Sequence, residues 1–449
     1  MSKIFGTKDF YIRIESLSVG VTGSCNYLVF HFPDGTEERI LIDCGLFVLK
    51  KELEFNREFS FDCKKILAVL VTHAHTDHYA RIPCLYHYGF TGKVYGSEYT
   101  IQKIKTDAMK NYFAMRKSYS SVLYEEKDAT DMMKNCSIMQ LNETYDLNPN
   151  IQVIPLANAH TKGAVMYLIN FKYETRVIRV LFTGDYKSQN INSKSYFPLK
   201  GKKYELPITI VTEATHGTKM TPKKIFQKEL EKAVEEQKSI IVIANGDTRC
   251  ETIANEIKNM KAQNKISNDL PIFLEFKKNF DLSNLNLEVL PSNITFVNDP
   301  NGRKNALYEK RQKIIIVTNR GTTDFFLKET IENSRYAIFY TNHVSKGSIA
   351  DRVINTPKGN EVIISKRIFL KGAYVKNTEE YSDHDFADGL IEMLLGFKCV
   401  NGILLEHGEE ESKSDLRSKI MQRIPKSKIF KLERGKAFRI TETGIKYTK

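Results

Sequence analysis

The chain has 449 residues, enough for a large buried core and about two domains, and 67 Lys and Arg against 54 Asp and Glu give it a net charge of +13. No apolar run approaches the roughly 18 residues of a membrane helix, so no membrane-spanning helix is expected. The seven cysteines are scattered without a CxxC pair, which favours reduced thiols and an intracellular protein. The positive charge favours a polyanionic partner, nucleic acid first.

The first third of the chain predicts short strands joined by tight turns. Pro33 and Asp34-Gly35 supply the turn chemistry of a hairpin. Residues 39–42 then predict a strand that ends at Asp43. Residues 66–71 are an unbroken apolar run with β-branched members, which predicts a buried strand.

Four metal-competent side chains follow that run within six positions: His73, His75, Asp77 and His78. Imidazole and carboxylate are good ligands for zinc and similar divalent ions. A catalytic site takes about three protein ligands and keeps a position for water, so two ions sharing the loop are a more economical interpretation than one. The alternative is a polar loop whose histidines cap a helix, but so dense a cluster is costly to leave unpaired.

Two basic segments are candidates for contacts with nucleic acid. Residues 99–134 predict a largely helical segment with lysines and arginines among aromatic side chains, a composition that suits a nucleic-acid groove. A solvated amphipathic helix accounts for this segment equally well. A second basic stretch, from Arg303 to Lys313, is predicted to be exposed and to face phosphate.

Further metal-type side chains recur where predicted strands end. Ligands and catalytic groups in open α/β sheets lie beyond the carboxyl ends of strands. An Asp or Gly after a strand is also ordinary turn chemistry, so each case alone is weak, and several that converge are stronger. The residues concerned are His160, Asp185, Glu213 and His407.

The middle of the chain predicts a second α/β unit. Thr221-Pro222 predicts the start of a helix, with Thr as N-cap and Pro in the first turn, and strands and helices then alternate to about residue 370. The candidate metal-binding and catalytic residues end at Glu213 and resume only at His384. This order predicts one site built from both ends of the chain, residues 1–213 and 371–449, with residues 214–370 inserted between them.

With these residues in place, the chain resembles the metallo-β-lactamase superfamily, and within it the β-CASP nucleases. Residues 73–78 match the HxHxDH signature of the superfamily, which is highly specific. Asp43 matches the first motif, His160 the third and Asp185 the fourth. The resemblance spans nearly the whole chain and implies an αββα sandwich with an inserted α/β domain, the β-CASP domain.

The motifs of the β-CASP branch follow the same order along the chain. Residues 159–164 resemble the GHxLGA form of 3′-end-processing nucleases, with Lys162 in place of an apolar residue. Glu213 matches motif A, His384 motif B and His407 motif C. A histidine in motif C is typical of members that act on RNA, whereas valine is typical of those that act on DNA.

The resemblance implies two metal ions bridged by Asp185. The implied ligands are, for one ion, His73, His75, His160 and Asp185 and, for the other, Asp77, His78, Asp185 and His407. Zinc is the ion expected, and manganese or iron can replace it. Catalytic roles are assigned to Asp77, His384, Glu213 and Asp43: His384 as general acid, Glu213 as the residue that orients it, and Asp43 as the acceptor that orients a ligand.

The expected function is hydrolysis of RNA phosphodiester bonds to 5′-phosphate and 3′-hydroxyl ends, in RNA processing or decay. The expected partner is single-stranded RNA, with a homodimer or a processing complex as further assemblies, and the expected location is cytoplasmic, or nuclear in a eukaryote. The alternatives are a non-catalytic RNA-binding β-CASP subunit and a hydrolase of DNA or a small molecule. The sequence leaves endonuclease and 5′-exonuclease action equally open.

Overall fold

The computed structural model describes residues 9–118, 122–190, 194–195, 204–276, 282, 285–318, 320–341, 344, 347–425 and 427–448. The chain divides into two compact units. The first is discontinuous and comprises Met1–Met220 and His384–Lys449, and the second is Thr221–Asp383. None of the helices in these described ranges is long and apolar enough to cross a membrane.

The first segment of the discontinuous unit supplies eleven strands and four helices among its described residues. Its strands are β1 (Tyr11–Ser16), β2 (Asn26–His31), β3 (Glu37–Ile42), β4 (Ala68–Leu70), β5 (Lys93–Gly96), β6 (Cys136–Ile138), β7 (Tyr145–Asn148), β8 (Ile151–Ala157), β9 (Val165–Tyr173), β10 (Arg176–Phe182) and β11 (Ile208–Glu213). Its helices are α1 (Thr76–Tyr79), α2 (Ile82–His87), α3 (Glu98–Ser118) and α4 (Glu126–Lys134).

The second unit carries β12 (Ser239–Ile243), β13 (Ile272–Glu275), β14 (Ile294–Val297), β15 (Ile314–Val317), β16 (Tyr336–Tyr340), β17 (Glu361–Ile364), β18 (Arg367–Leu370) and β19 (Tyr374–Asn377). Its helices are α5 (Phe226–Glu235), α6 (Asp247–Ala262), α7 (Pro300–Tyr308), α8 (Arg320–Thr330) and α9 (Ile349–Asn355). The last segment of the chain returns to the first unit with α10 (Ala387–Leu395), β20 (Val400–Glu406), α11 (Glu410–Arg423), β21 (Ile429–Lys431), β22 (Ala437–Thr441) and β23 (Gly444–Thr448).

Two sheets form the centre of the discontinuous unit. One has the order β23-β22-β1-β2-β3-β4-β5-β6 and the other β21-β20-β11-β10-β9-β8-β7. Alternate residues of each strand point to the space between the sheets, where Ile12 and Leu28 of one sheet share a core with Tyr167 and Leu404 of the other.

Helices cover the outer faces of both sheets. Val69 and Leu41 pack with apolar residues of α2 and α3 on one side, and Ile210 and Leu405 pack with those of α10 and α11 on the other. The layers are therefore α, β, β and α, which confirms the predicted fold class. Strands from both ends of the chain complete each sheet, because β22 pairs with β1 and β20 with β11.

The second unit is built on one parallel sheet in the order β14-β13-β15-β12-β16-β19, with the hairpin of β17 and β18 beside it. Neighbouring residues of β12 enter different cores: Ile240 packs with α5 and α6, and Ile241 with α7, α8 and α9. A sheet buried on both faces explains why its strands read as continuous apolar runs.

The residue limits of the second unit are explained by hydrogen bonds between its first and last segments. The sequence predicts limits at residues 214 and 370, whereas the compact unit runs from 221 to 383. The carboxylate of Glu380 accepts hydrogen bonds from the amides of Ile225 and Phe226, at 2.9 and 2.6 Å, and thereby joins the two ends of the unit. The predicted helix start at Thr221-Pro222 is wrong for the same reason, since Glu380 satisfies the first amides of a helix that begins at Phe226.

The basic stretch from Arg303 to Lys313 is only partly the exposed cluster that the sequence predicts, since Lys304, Lys310 and Arg311 are exposed but Arg303 and Lys313 are not. Lys313 is buried, and its ammonium donates to the carbonyls of Leu307 and Glu309, both at 2.6 Å. The guanidinium of Arg303 pairs with the buried carboxylate of Glu275 at 2.9 Å. Both charges satisfy groups of the fold itself, so the prediction of a phosphate-facing surface is wrong for these two residues.

Candidate metal centre

The loop of residues 73–78 is fixed against the loop that follows β3. The amide of Cys44 donates to the carbonyl of His78 at 2.8 Å, and the amide of Leu46 donates to the carbonyl of Thr76 at 3.0 Å. A Cβ atom on Gly45 would lie 1.6 Å from the carbonyl oxygen of Asp77. No larger residue fits there, so the close approach of the two loops depends on this glycine.

The first group of candidate ligands comes from the ends of β4, β8 and β10. His73, His75, His160 and Asp185 each bring one nitrogen or oxygen atom to within 4.8 Å of the others. Nε2 of His73 and Nε2 of His160 lie 3.7 and 3.6 Å from Oδ2 of Asp185. Nδ1 of His75 lies 3.0 Å from Nε2 of His73. This set is the one that the resemblance implies for the first ion.

The second group of candidate ligands lies beside Asp185 of the first. Asp77, His78 and His407 bring their ligand atoms to within 4.8 Å of one another. Nε2 of His78 lies 3.3 Å from Oδ2 of Asp185, and Nε2 of His407 lies 3.4 Å from its Oδ1. Asp185 therefore has imidazole nitrogens of both groups within 4 Å of its carboxylate oxygens.

Asp43 lies behind this group rather than within it. Its Oδ2 lies 2.7 Å from Nδ1 of His78, and its Oδ1 accepts from the amide of Thr72 at 2.7 Å. The hydroxyl of Thr72 lies 2.9 Å from the same carboxylate and 3.0 Å from Nδ1 of His73. An acceptor at Nδ1 leaves Nε2 of His78 as the nitrogen that can bind a metal.

The electrostatics of the site fit metal ligation. Burial, reinforced by the neighbouring imidazoles of His78 and His75, lowers the pKa of His73 well below its usual value, so His73 presents the neutral imidazole that a metal requires. Burial would raise the pKa of Asp185, but the imidazoles around it, His407 first, hold it well below the usual range. Burial would likewise lower the pKa of His78, but Asp185 and Asp43 raise it well above its usual value. A cation bound at Nε2 would take the place of that proton.

Buried polar atoms at the centre lack hydrogen-bond partners within the described residues. They are Nε2 of His78, Oδ1 of Asp185 and Nδ1 of His407. Buried polar atoms without partners are costly, and divalent cations would satisfy the first two together with the imidazoles that converge on Asp185. The donor set of nitrogen and carboxylate oxygen therefore fits zinc or a similar ion.

Glu213 and His384 form a pair at the rim of the centre. Nδ1 of His384 lies 2.9 and 3.0 Å from the two carboxylate oxygens of the buried Glu213, and its Nε2 lies 4.0 Å from Oδ2 of Asp185. The Glu213 carboxylate also accepts from the amide of Tyr186. The side chain of His384 is 21% exposed, so it is the member of the pair that a substrate can reach.

Sequence reasoning missed Asn158, which joins the strand ends that carry the candidate ligands His160 and Asp185. Its amide nitrogen donates to the carbonyls of Thr183 and Asp185, at 2.9 and 2.7 Å, and its side-chain oxygen accepts from the amide of His160 at 3.0 Å. The signal that could have found it is its place, two residues before His160 at the end of a strand. An asparagine at this position satisfies backbone N–H and C=O groups of the neighbouring loops, as asparagine does in turns.

The comparisons with known proteins agree with this geometry. Residues 38–193 match the family model described as a Beta-lactamase superfamily domain. The "Transcription termination factor FttA" of Methanosarcina mazei is 29% identical over 216 residues, which are 47% of this chain and 32% of the relative, so the chain spans about a third of that protein's length.

Two other relatives match over most of both chains. The "Probable RNase MJ4" of Methanocaldococcus jannaschii is 22% identical over 417 residues, 85% of this chain and 90% of the relative. The "RNase aCSPSF2" of Saccharolobus solfataricus is 24% identical over 378 residues, 80% of this chain and 72% of the relative. Both matches extend far beyond the residues that the family model covers.

Proposed function

The chain belongs to the β-CASP branch of the metallo-β-lactamase superfamily, and from this premise we propose that it is a metal-dependent ribonuclease acting on single-stranded RNA. The observation that carries the proposal is the convergence of the two candidate ligand groups on Asp185. The charge of +13 supports a polyanionic substrate, and the names of the two long relatives support RNA. The protein would act in RNA processing or decay.

The metal centre would hold two divalent ions, zinc first. The residues proposed to bind them are those of the two groups: His73, His75, His160 and Asp185 for one, and Asp77, His78, Asp185 and His407 for the other. Two ions at such a centre activate water near neutral pH and stabilise the charge of a phosphoryl group under in-line attack. The chain's own residues set this up, because Asp43 orients His78 and Thr72 orients His73.

His384 is proposed as the general acid. Attack of water on phosphorus expels the 3′ oxygen, which leaves 5′-phosphate and 3′-hydroxyl ends, and that oxygen needs a proton. Glu213, at 2.9 Å from Nδ1, holds the imidazole with Nε2 directed at the centre. An imidazole can supply a proton near neutral pH.

The alternative of a non-catalytic RNA-binding subunit is disfavoured because no position of the two ligand groups is lost. A small-molecule hydrolase is disfavoured by the pair of Glu213 and His384, which belongs to the β-CASP motifs rather than to the metal centre alone. Glu213 is fully buried, and its carboxylate lies within hydrogen-bonding distance of His384. Both features are expected of a residue that orients His384 as a general acid.

Incubation of the zinc-loaded protein with RNA and DNA of one sequence tests the substrate. Single-stranded RNA should be cleaved, duplex DNA should not, and a chelator or Asp185→Asn should abolish the cleavage. RNA binding should weaken steeply with salt, because phosphate contacts release counterions. Equal or better cleavage of DNA under matched conditions would overturn the assignment.

A substrate with sulfur at the bridging 3′ position tests the acid. His384→Ala should keep both metals and lose activity on ordinary RNA by roughly 10²–10⁴-fold, the usual contribution of general acid catalysis. The sulfur leaves without needing a proton, so the variant should cleave that substrate nearly as well as the parent. A variant equally impaired on both substrates, or depleted of a metal, would show that His384 has another role.

A further inference from the structure

The hairpin of β17 and β18 in the second unit presents an apolar face to solvent. Alternate residues of its strands point inward, where Val362 and Ile364 pack with apolar residues of α8 and α9. The opposite face carries Ile363, Ile368 and Leu370, which are 52, 63 and 55% exposed. Ile363 and Ile368 lie directly opposite each other in the register. Large apolar side chains grouped on one exposed face are typical of a surface that binds another protein.

The outer edge of β18 is open. The hairpin is a two-stranded sheet, so no strand of the described ranges pairs with β18 on the side away from β17. Helices α8 and α9 contact β17 more than they contact β18. A strand with an open edge offers its backbone groups to a further strand.

The hydrogen bonds of the hairpin show which groups of β18 point outward. The amide of Lys371 donates to the carbonyl of Asn360 at 2.9 Å, and bonded pairs alternate with non-bonded pairs along an antiparallel ladder. Ile363 and Ile368 therefore form a non-bonded pair. Ile368 directs its N–H and C=O groups to the outer edge, and Leu370, two residues further on, does the same.

Glu332 occupies the end of this edge. The amide of Leu370 donates to Oε1 of Glu332 at 2.9 Å, as an outward-pointing N–H can. Glu332 is exposed, so its carboxylate brings a negative charge to the edge. The amide and carbonyl of Ile368 have no such partner among the residues that the structure describes.

The tip of the hairpin brings a positive charge to the same strand. Ser365 and Lys366 have φ of +46° and +68°, as both central residues of a type I′ turn do. The hydroxyl of Ser365 donates to the carboxylate of Asp324, which fixes the turn to α8. Lys366 is exposed. The edge of β18 therefore runs from an exposed ammonium at its start to an exposed carboxylate at its end.

We propose that two copies of the chain associate by antiparallel pairing of their β18 edges about a twofold axis at Ile368. The two Ile368 residues exchange both backbone hydrogen bonds, and the contact is closed because each copy uses the same surface. Ile363 and Ile368 of both copies form one row across a four-stranded sheet. Pairing centred on residue 368 also places Lys366 of each copy opposite Leu370 of the other, beside Glu332. This charge complementarity favours a second copy over an unrelated extended segment, and the inference does not depend on the proposed function.

Sedimentation across a series of protein concentrations tests the association. The parent should show a monomer–dimer equilibrium, which is weak because the interface is small. Lys366→Glu or Glu332→Lys sets like charges against each other at both symmetric positions, so each should raise the dimer Kd by about tenfold. The double variant should restore the parent's Kd. Lys310→Glu, the same change at an exposed lysine of the same unit, is the matched control and should leave the Kd unchanged.

Thiol crosslinking tests the register of the pairing. The background is Cys399→Ser, which removes the one exposed native cysteine. Ile368→Cys places the two Cα atoms about 5.5 Å apart across the axis, whereas Ile363→Cys places them about 14 Å apart, three strand spacings. A short bismaleimide should therefore join the Ile368→Cys protein into a covalent dimer and leave the Ile363→Cys protein monomeric.

Four results would each overturn the proposal. The parent could stay monomeric up to millimolar concentration, or its dimer could persist unchanged in both charge variants. The double variant could remain as dissociated as the single ones while its melting temperature matches the parent's. Crosslinking could proceed equally at positions 363 and 368, in which case the two copies meet through another surface.

Discussion

Asp43 organises the metal centre through one carboxylate. It contacts Nδ1 of His78 and both the amide and the hydroxyl of Thr72, and it does so from a left-handed backbone conformation with φ +61°. Among residues with a side chain, Asn and Asp adopt this conformation most readily. The backbone and the hydrogen bonds of this position therefore both require a short polar side chain.

Asp43→Asn should weaken metal binding without unfolding the protein. Asn tolerates the same backbone conformation, but its neutral amide cannot polarise His78 as a carboxylate does. Loss of such a partner costs about 10- to 100-fold in metal affinity, and the deficit should be confined to the ion proposed to bind His78. Titration of metal into the apo-protein would measure this, with the melting temperature as control. Unchanged affinity for both ions would contradict the orienting role.

Glu380 should make stability depend on pH. Burial raises the pKa of Glu380 from 4.5 to about 7, against the effect of the amides of Phe226 and Ile225. The folded chain then holds this proton more tightly than the unfolded chain, so the stabilisation is complete below the unfolded pKa and is lost as the pH rises through about 7. Denaturant unfolding of the parent and of Glu380→Gln should show that the parent loses stability relative to the variant across this window. A difference that stays constant with pH would contradict the shift.

The sequence identified the members of the candidate site but not the residues that support them. His73, His160 and Asp185 stand in dense or motif-like patterns, and the structure brings them together. Asn158 carries no such pattern, because its partners lie 25 and 27 residues further along the chain and meet it only in the folded sheet. Lys313 was misjudged for a different reason. Its carbonyl partners lie only six and four residues earlier in the chain, but a run of basic residues does not reveal which of its side chains the fold buries.

The C-terminal end of helix α9 is capped by Lys371, a buried residue that lies further along the chain. The ammonium of Lys371 donates to the carbonyls of Val353 and Ile354, at 2.7 and 3.3 Å, and to that of Thr356. The last carbonyls of a helix have no partner within it, and a cation there also opposes the negative end of the helix dipole. Burial lowers the pKa of Lys371, so these three acceptors must offset its desolvation.

Lys371→Met should destabilise the second unit. Methionine keeps the length of the side chain but leaves the carbonyls at the end of α9 without a donor, which costs about 1–3 kcal/mol. Lys358→Met, at an exposed position of the same unit, is the matched control and should stay within about 0.5 kcal/mol of the parent. Denaturant unfolding of the three proteins would decide, and equal losses in both variants would show that Lys371 has no capping role.

The two units of the molecule differ in which parts of the chain they need to fold. The second unit has its own sheet and a core on each face, and Glu380 ties its end to its beginning. The first unit cannot complete either sheet without residues 400–448, because β22 pairs with β1 and β20 with β11. The order of the candidate site residues and the resemblance both predicted this inserted arrangement from the sequence. The hydrogen bonds that Glu380 accepts from the start of the second unit were missed, because Glu380 belongs to no motif.

Fragments of the chain should show this difference between the two units. Residues 221–383 expressed alone should unfold in one cooperative transition, whereas residues 1–383 should fail to fold the first unit, since β1 and β11 would each lose a neighbouring strand. Hydrogen exchange of backbone amides would distinguish the outcomes. Protection in the strands of the first unit without residues 384–449, or none in the isolated second unit, would contradict the division.

We propose that the chain hydrolyses RNA at a metal centre built on Asp185. Mass spectrometry of the products formed from a defined single-stranded RNA tests it most directly, because it identifies both new ends at once. Hydrolysis at this centre should give 5′-phosphate and 3′-hydroxyl ends, and both should disappear on chelation and in Asp185→Asn. A 2′,3′-cyclic phosphate with a 5′-hydroxyl end, or cleavage that persists without metal, would contradict it.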